Sequence, residues 1–93
     1  MKHYIIVKFI PGFDYTKHIS DITDIFNQTL TIPGITEVNV KPSNSERANR
    51  YDLMIEMTMS ADALAAYDVS APHRFWKEKY GEYIDKKAIF DCD

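Results

Sequence analysis

Residues 64–76 read LAAYDVSAPHRFW, and the second half of the chain is organised around this stretch. Pro72 cannot donate the backbone hydrogen bond that a continuous helix needs, so a helix that enters this stretch should end just before it. Proline is favoured in the first turn of a helix, so a new helix should restart near Ala71. The break should bring the Tyr67 phenol close to the His73 imidazole, and a hydrogen bond between them is the contact we expect.

Alternating apolar residues upstream predict strands. Residues 2–10 read as a first strand whose helix-facing side carries His3, Ile5, Val7 and Phe9. Residues 35–40 predict a short second strand that ends before Pro42, and residues 51–59 predict a third. Both faces of the first strand are largely apolar, so both should need cover.

Two helical stripes complete the pattern. Asp14 is a plausible N-cap for a first helix over residues 15–31, because apolar residues recur there at spacings of three and four. The helix that restarts after the break should carry an inner stripe of Trp76, Tyr80, Tyr83 and Ile84, and residues 88–92 should form the last strand.

The order of elements is β-α-β-β-α-β, with the second helix broken in two. It predicts an α+β, ferredoxin-like fold in which both helical elements cover one face of a four-stranded antiparallel sheet, within a single domain over residues 1–93. The other face would be apolar and uncovered. We therefore expect a homodimer through the open sheet face, which makes a dimeric α+β barrel; a monomer that tolerates the exposure is the alternative.

Composition narrows the class of protein. The 93 residues include 45% hydrophobic and 27% charged residues, which is typical of a globular chain. The net charge of −3 argues against nucleic acid as a partner, and no segment is apolar enough to span a membrane. The one cysteine, Cys92, forms no internal disulfide and fits a cytoplasmic location. Histidines at positions 3, 18 and 73 lack metal-ligand spacing, so we expect no metal and no cofactor. His18, outside the apolar stripe, and Asp91 in the acidic tail should both be solvated.

Short motifs along the whole chain resemble the stress-responsive A/B barrel (Dabb) family. They are His3 in the first strand, Lys8-Phe9, Arg50-Tyr51-Asp52-Leu53, Ser60-x-Asp62-x-Leu64-x-x-Tyr67, Pro72-His73 and Ile89-Phe90-Asp91. The family implies a ferredoxin-like fold that dimerises into an α+β barrel, and most members have no assigned reaction. One plant member, olivetolic acid cyclase, closes a polyketide without a cofactor.

The resemblance to that cyclase implies roles for individual residues. His73 corresponds to its histidine base, Tyr67 to the assisting tyrosine, and His3 to a cavity histidine. Leu53 and Ile25 stand where the cyclase has a histidine and a tyrosine. The break itself reads Ser70-Ala71-Pro72-His73, where the family commonly has His-Pro-x-His. Half of the polar constellation is therefore apolar here.

Two functions follow as hypotheses. The first is a small dimeric barrel that holds a small apolar or carbonyl-rich ligand between sheet and helices, in a pocket lined by His3, Leu53, Ile25 and Trp76. The second is a cofactor-free enzyme, cyclase-like or monooxygenase-like, in which His73 is the general base and Tyr67 orients it. A purely structural Tyr67–His73 pair is the alternative for those two residues.

Overall fold

The computed structural model describes residues 1–93 and has the predicted order of strands and helices. The strands are β1 (Lys2–Phe9), β2 (Ile35–Pro42), β3 (Leu53–Met59) and β4 (Ile84–Cys92). The helices are α1 (Ile19–Asn27), α2 (Ala61–Asp68) and α3 (Ala71–Tyr80). The strands form one antiparallel sheet in the order β2-β3-β1-β4. The α+β, ferredoxin-like prediction is confirmed.

The core lies between one face of the sheet and the three helices. Every second residue of β1 and β3 is buried there, as the period-two pattern predicts. The helices contribute Ile22, Phe26, Trp76 and Tyr80, among others. Burying one such side chain stabilises the fold by about 1.5–3 kcal/mol, so this layer contact holds the helices on the sheet.

The first helical segment runs over the predicted residues, but only its middle is α-helical. Turns of 3-10 helix, Tyr15–His18 and Gln28–Thr31, flank α1 on its two sides. The Asp14 side chain accepts a hydrogen bond from the Thr16 backbone N–H at 3.2 Å, so the predicted cap is present. The segment thereby spans the sheet and packs against α3.

The predicted break separates α2 from α3 by two residues. One hydroxyl joins its two sides. Ser70 Oγ donates to the Tyr67 carbonyl oxygen at 2.7 Å and accepts from the His73 backbone N–H at 3.3 Å. Pro72 lies in the first turn of α3, where its missing N–H costs no hydrogen bond. The relative position of Tyr67 and His73 is therefore fixed locally.

The start of β4 was predicted wrongly. The third helix was expected to continue through Ile84, but α3 ends at Tyr80, a 3-10 turn covers Gly81–Tyr83, and β4 begins at Ile84. The strand was hidden because it lies at the edge of the sheet, where the helices do not cover it fully. Charged residues such as Lys87 are tolerated on its helix-facing side, so no apolar alternation marks it.

The face of the sheet opposite the helices carries an uncovered apolar patch. Its members are Tyr4, Ile6, Met54, Ala88 and Phe90, placed together by the register of β1 with β3 and β4. Phe90 is 59% exposed, and its ring lies 6.4 Å from that of Tyr4. We call this patch the open face. Separately, none of the helices is long and apolar enough to cross a membrane.

Candidate functional site

A cavity of about 210 Å³ opens between the helix break and the β1–β4 side of the sheet. Four of the six predicted site residues line it: His3, Tyr67, His73 and Trp76. The remaining lining residues are Ile5, Asp68, Lys77, Lys87 and Ile89. We call this space the His73 cavity.

The other two predicted residues lie elsewhere. Ile25 is buried in the core on α1, and Leu53 is buried on β3. Leu53 borders a separate, shallow depression of about 360 Å³ near the loop that follows β2. The strand order explains this separation, because β1 stands between β3 and β4, and Val7 lies between Leu53 and Lys87 across the sheet.

The His73 ring is held by the end of α2. Its Nδ1–H donates to the Asp68 carbonyl oxygen at 2.9 Å. A carbonyl oxygen only accepts, so the Nδ1 atom carries the proton and Nε2 has the free lone pair in the neutral ring. The expected hydrogen bond to Tyr67 is absent, although the two ring centroids are 4.7 Å apart. The prediction failed because the last carbonyl groups of a helix lack partners and compete for such donors.

The Tyr67 hydroxyl is buried and has no hydrogen-bond partner in the protein. The residue is 1% exposed, and burial, followed by the nearby Asp68 carboxylate, raises the pKa of its phenol above the usual range. The group is therefore a neutral donor at pH 7. An unsatisfied buried hydroxyl costs about 1–3 kcal/mol, which calls for an explanation beyond packing.

His3 is the second imidazole of the cavity. It is 5% exposed, and its Nδ1–H donates to Asp91 Oδ1 at 2.5 Å. Asp91 is exposed, as the sequence predicted, and it also lies opposite His3 in the β1–β4 register, which allows this hydrogen bond. A carboxylate that binds the Nδ1–H group fixes the ring orientation and leaves Nε2 as the nitrogen that can accept a hydrogen bond. The His3 ring meets the Tyr67 ring edge-on at 5.7 Å.

These three side chains are suited to proton transfer. Two imidazoles keep Nε2 free as an acceptor, and between them a phenol keeps a proton that it can donate to a ligand. Such a set can withdraw a proton from one atom of a small molecule and polarise another. Elsewhere in the chain, no three His, Cys, Asp or Glu side chains lie close enough together to hold a metal ion.

A second tyrosine and histidine meet on the opposite side of the helical layer. The Tyr80 hydroxyl donates to Asp21 and accepts from the His18 Nδ1–H at 3.3 Å, while Lys79 Nζ binds Asp21 at 2.7 Å. Hydrogen bonds from Lys79 and Tyr80 lower the pKa of the Asp21 carboxyl. The prediction of a solvated His18 was wrong, because its ring stacks on Phe13 at 4.9 Å. We call His18, Asp21, Lys79 and Tyr80 the Tyr80 cluster.

Sequence reasoning missed Lys77 and Lys87, which line the cavity, and Asp91, which binds His3 beside it. The β4 register positions Lys87 and Asp91, whereas Lys77 follows His73 by one helical turn. A strand that begins at residue 84 rather than 88 would have placed Lys87, Ile89 and Asp91 on one face, pointing to the helices. The available signal was the alternation of Lys86, Ala88 and Phe90 on the other face, which the charged residues obscure. Ile84 does not continue it, because a register shift places Ile84 opposite Phe9 and against the core.

Comparison with known proteins gives no sequence relative. No protein-family model matches the chain, and no curated protein matches it. Solved structures do match. A dimeric ferredoxin-like protein of unknown function from a Jannaschia species has a TM-score of 0.80 and 20% identity, covering 99% of this chain and 96% of that one.

Two further structures carry more specific descriptions. A Dabb family protein with a ferredoxin-like fold from Mesorhizobium loti has a TM-score of 0.73 and 14% identity, covering 99% of this chain and 93% of that one. A hydroxynitrile lyase from Passiflora edulis has a TM-score of 0.74 and 16% identity, with coverage of 96% and 87%. The chain therefore has the ferredoxin-like fold that a Dabb family protein and other dimeric proteins share.

Proposed function

We propose that the protein binds a small carbonyl compound in the His73 cavity and catalyses proton transfer on it with its own side chains. The observation that carries the proposal is the Tyr67 hydroxyl, which is buried without a partner beside two imidazoles whose Nε2 atoms are free. A ligand oxygen at this position would satisfy the phenol and explain why its cost is tolerated.

The step that we propose is the withdrawal of a proton from the carbon next to the carbonyl group. His73 Nε2 takes the proton, the C–H electron pair moves into the carbonyl group, and the resulting enolate oxygen accepts a hydrogen bond from Tyr67. Return of the proton from His73 to carbon completes the cycle. Alternatively, the enolate electron pair breaks the bond to a leaving group on the next carbon, and the departing group takes the proton from His73. Tyr67 thus acts on the substrate and not as the orienting partner of His73, whose ring Asp68 already holds.

The fixed tautomer supports the role of His73 as base. A neutral imidazole with its Nδ1 proton bound to a carbonyl oxygen presents Nε2 as the sole basic atom. The ring lies in the first turn of α3, next to the helix break. The residue is half-buried and not sealed under its neighbours, so a ligand can reach it.

Ligand binding without turnover is the second candidate. Ile5, Trp76 and Ile89 give the cavity apolar walls, which suit a small ligand with a short hydrocarbon part. The volume of about 210 Å³ lies below the range of about 300–1,000 Å³ that is usual for drug-sized ligands, so either function concerns a compound of few atoms.

Hydrogen–deuterium exchange at carbon tests the first function. Acetone and pyruvamide are incubated in D₂O with the protein, and loss of the methyl signal is followed by proton NMR. We expect exchange above the buffer rate, reduced about 10²–10⁴-fold by His73→Ala. His18→Gln is the matched control, because this histidine lies outside the cavity, and it should keep the wild-type rate.

The result separates the two candidates. Exchange at the buffer rate, with binding of the same compounds detected by shifts of the His3 and His73 ring signals, supports a binding protein. Equal exchange by wild type and His73→Ala contradicts the assignment of the base.

The proposed assembly is a homodimer through the open face. Its support is the exposed apolar patch around Phe90 and the dimeric state of structural neighbours such as the Jannaschia protein. Twofold pairing of two such faces makes a closed α+β barrel. Phe90→Lys should convert a dimer to a monomer in analytical ultracentrifugation. Phe75→Lys, at a side chain 48% exposed on α3, should leave the dimer intact. A monomeric wild type would refute the proposal.

A further inference from the structure

Two lysines stand on opposite walls of the His73 cavity. Lys77 follows His73 by four residues on α3, so both side chains lie on the same face of that helix. Lys87 lies on β4 opposite Val7, which places it on the helix-facing side of the sheet edge. The two lysines therefore come from different elements and line the same cavity.

Neither lysine has a partner within the protein. The ion pairs of the chain are Lys41–Glu56 and Lys79–Asp21, and neither Lys77 nor Lys87 belongs to one. The Lys77 and Lys87 ammonium groups make no hydrogen bond, and Asp91 accepts one from His3. Asp68 is the one acidic residue that lines the cavity, and Asp91 lies outside the lining. Two positive charges thus face one negative charge, although the chain as a whole has a net charge of −3.

We propose that the substrate is a short oxo acid, with its carboxylate between Lys77 and Lys87 and its carbonyl oxygen at the Tyr67 hydroxyl. This proposal rests on the proposed function for the reaction, and adds to it the class of compound. The apolar residues Ile5, Trp76 and Ile89 surround the hydrocarbon part, and the small volume limits its length. The carboxylate at the opening keeps its contact with water, so it need not be fully desolvated.

The lysines also favour the proposed step. Proton withdrawal beside a carbonyl group places a second negative charge on a substrate that already carries one. Two nearby cations and the Tyr67 donor offset this repulsion as the enolate forms. Both ammonium groups are exposed, so each should change binding only about two- to five-fold, and the effect should weaken as salt is added.

The test compares two probes that differ in charge alone. Pyruvate carries a carboxylate, and pyruvamide replaces it with a neutral amide of the same shape. Binding is measured by NMR titration of the histidine ring signals at pH 7, without any need for turnover. We expect pyruvate to bind more tightly than pyruvamide to the wild type. Lys77→Gln and Lys87→Gln should each weaken pyruvate binding about two- to five-fold, and the double variant more, with pyruvamide unaffected.

Lys86→Gln is the matched control. Lys86 is the neighbour of Lys87 on β4 but lies on the opposite face, paired with Lys8. It should leave the affinity for both probes unchanged. Raising sodium chloride from about 50 to 500 mM should reduce the affinity for pyruvate and leave that for pyruvamide unchanged.

The outcomes distinguish this proposal from the proposed function. Lysine-dependent binding of pyruvate without methyl exchange would support the anion site and refute the proton-transfer activity. A second outcome is that the protein exchanges the pyruvamide methyl group but binds pyruvate not at all, no more tightly than pyruvamide, or equally well without both lysines. This outcome would overturn the oxo-acid assignment and leave the proton-transfer activity standing.

Discussion

The helical layer contains two places where a tyrosine meets a histidine, and their hydrogen bonding differs. In the Tyr80 cluster the phenol donates to Asp21 and accepts from His18, so both its donor and its acceptor are used. In the His73 cavity the Tyr67 phenol is equally buried and has no partner. The same two residue types thus make a closed network in one place and an open one in the other.

The difference shows that hydrogen bonding, and not residue type, decides whether a buried tyrosine is structural or available to a ligand. A phenol whose donor and acceptor are both used holds elements together, and here it ties α1 to α3. A phenol with a free donor next to a cavity is a group that a ligand can satisfy. In the cavity the backbone supplies the partner of His73, through the Asp68 carbonyl oxygen, and so releases Tyr67 from that task.

Of the changes that compare the two tyrosine sites, removing the free phenol should have the largest effect. Tyr67→Phe should lower the rate of carbon exchange about 10²–10³-fold, because it removes the donor to the developing oxyanion. Its free energy of unfolding should stay equal or rise slightly, because an unsatisfied buried hydroxyl is lost. Exchange NMR and urea denaturation measure the two quantities. A variant that is active, or strongly destabilised, would contradict the open network.

The second effect should be found in the Tyr80 cluster, where removal of the phenol should lower stability and leave the exchange rate unchanged. Tyr80→Phe removes a hydrogen bond to a carboxylate and one from His18, and should lower the free energy of unfolding by about 1–2 kcal/mol. For a domain of this size each kcal/mol lowers the midpoint of thermal unfolding by about 4–8 °C. The exchange rate of the folded protein should be unchanged. Protein concentration must be matched, since the stability of the proposed dimer would depend on it.

The smallest effect should be a change in acid stability at Asp21. Its pKa is lowered in the folded state by hydrogen bonds from Lys79 and Tyr80. The stabilisation is therefore present above the unfolded-state pKa, near 3.8, and is lost as the pH falls through the lower folded-state value. Asp21→Asn should be less stable than wild type at pH 6, and the difference should close as the pH falls through the lowered folded-state pKa. A pH-independent difference would show that the charge is not the cause.

Local chemistry made the helix break predictable. Pro72 and Ser70 act on their own backbone neighbours, so their effect needs no knowledge of the rest of the fold. The buried alternation of β1 and β3 was equally legible, because both strands lie inside the sheet and have one face fully covered. These features gave the fold class and brought His3, Tyr67, His73 and Trp76 to one cavity.

The failures all involve partners that are distant in sequence or supplied by the backbone. His18 resembled a surface residue because Phe13, on which it stacks, precedes the helix in a loop. Asp91 and Lys87 depended on the register of an edge strand whose charges hide its period. The Tyr67–His73 hydrogen bond was expected because only side chains were considered as partners. His73 instead binds the backbone carbonyl oxygen of Asp68, which a pattern of side chains does not reveal.

The Ser70 hydroxyl bridges the Tyr67 carbonyl and the His73 amide, and this bridge has an evolutionary consequence. The proposed donor and base are encoded within seven consecutive residues that fix their own geometry. The facing wall is encoded separately, by β4. Substitutions at Lys87 or Ile89 would thus alter which compound is accepted and leave the proton-transfer unit undisturbed. A chain built in this way could change the compound it binds by mutating one edge strand, while the proposed donor and base are inherited intact.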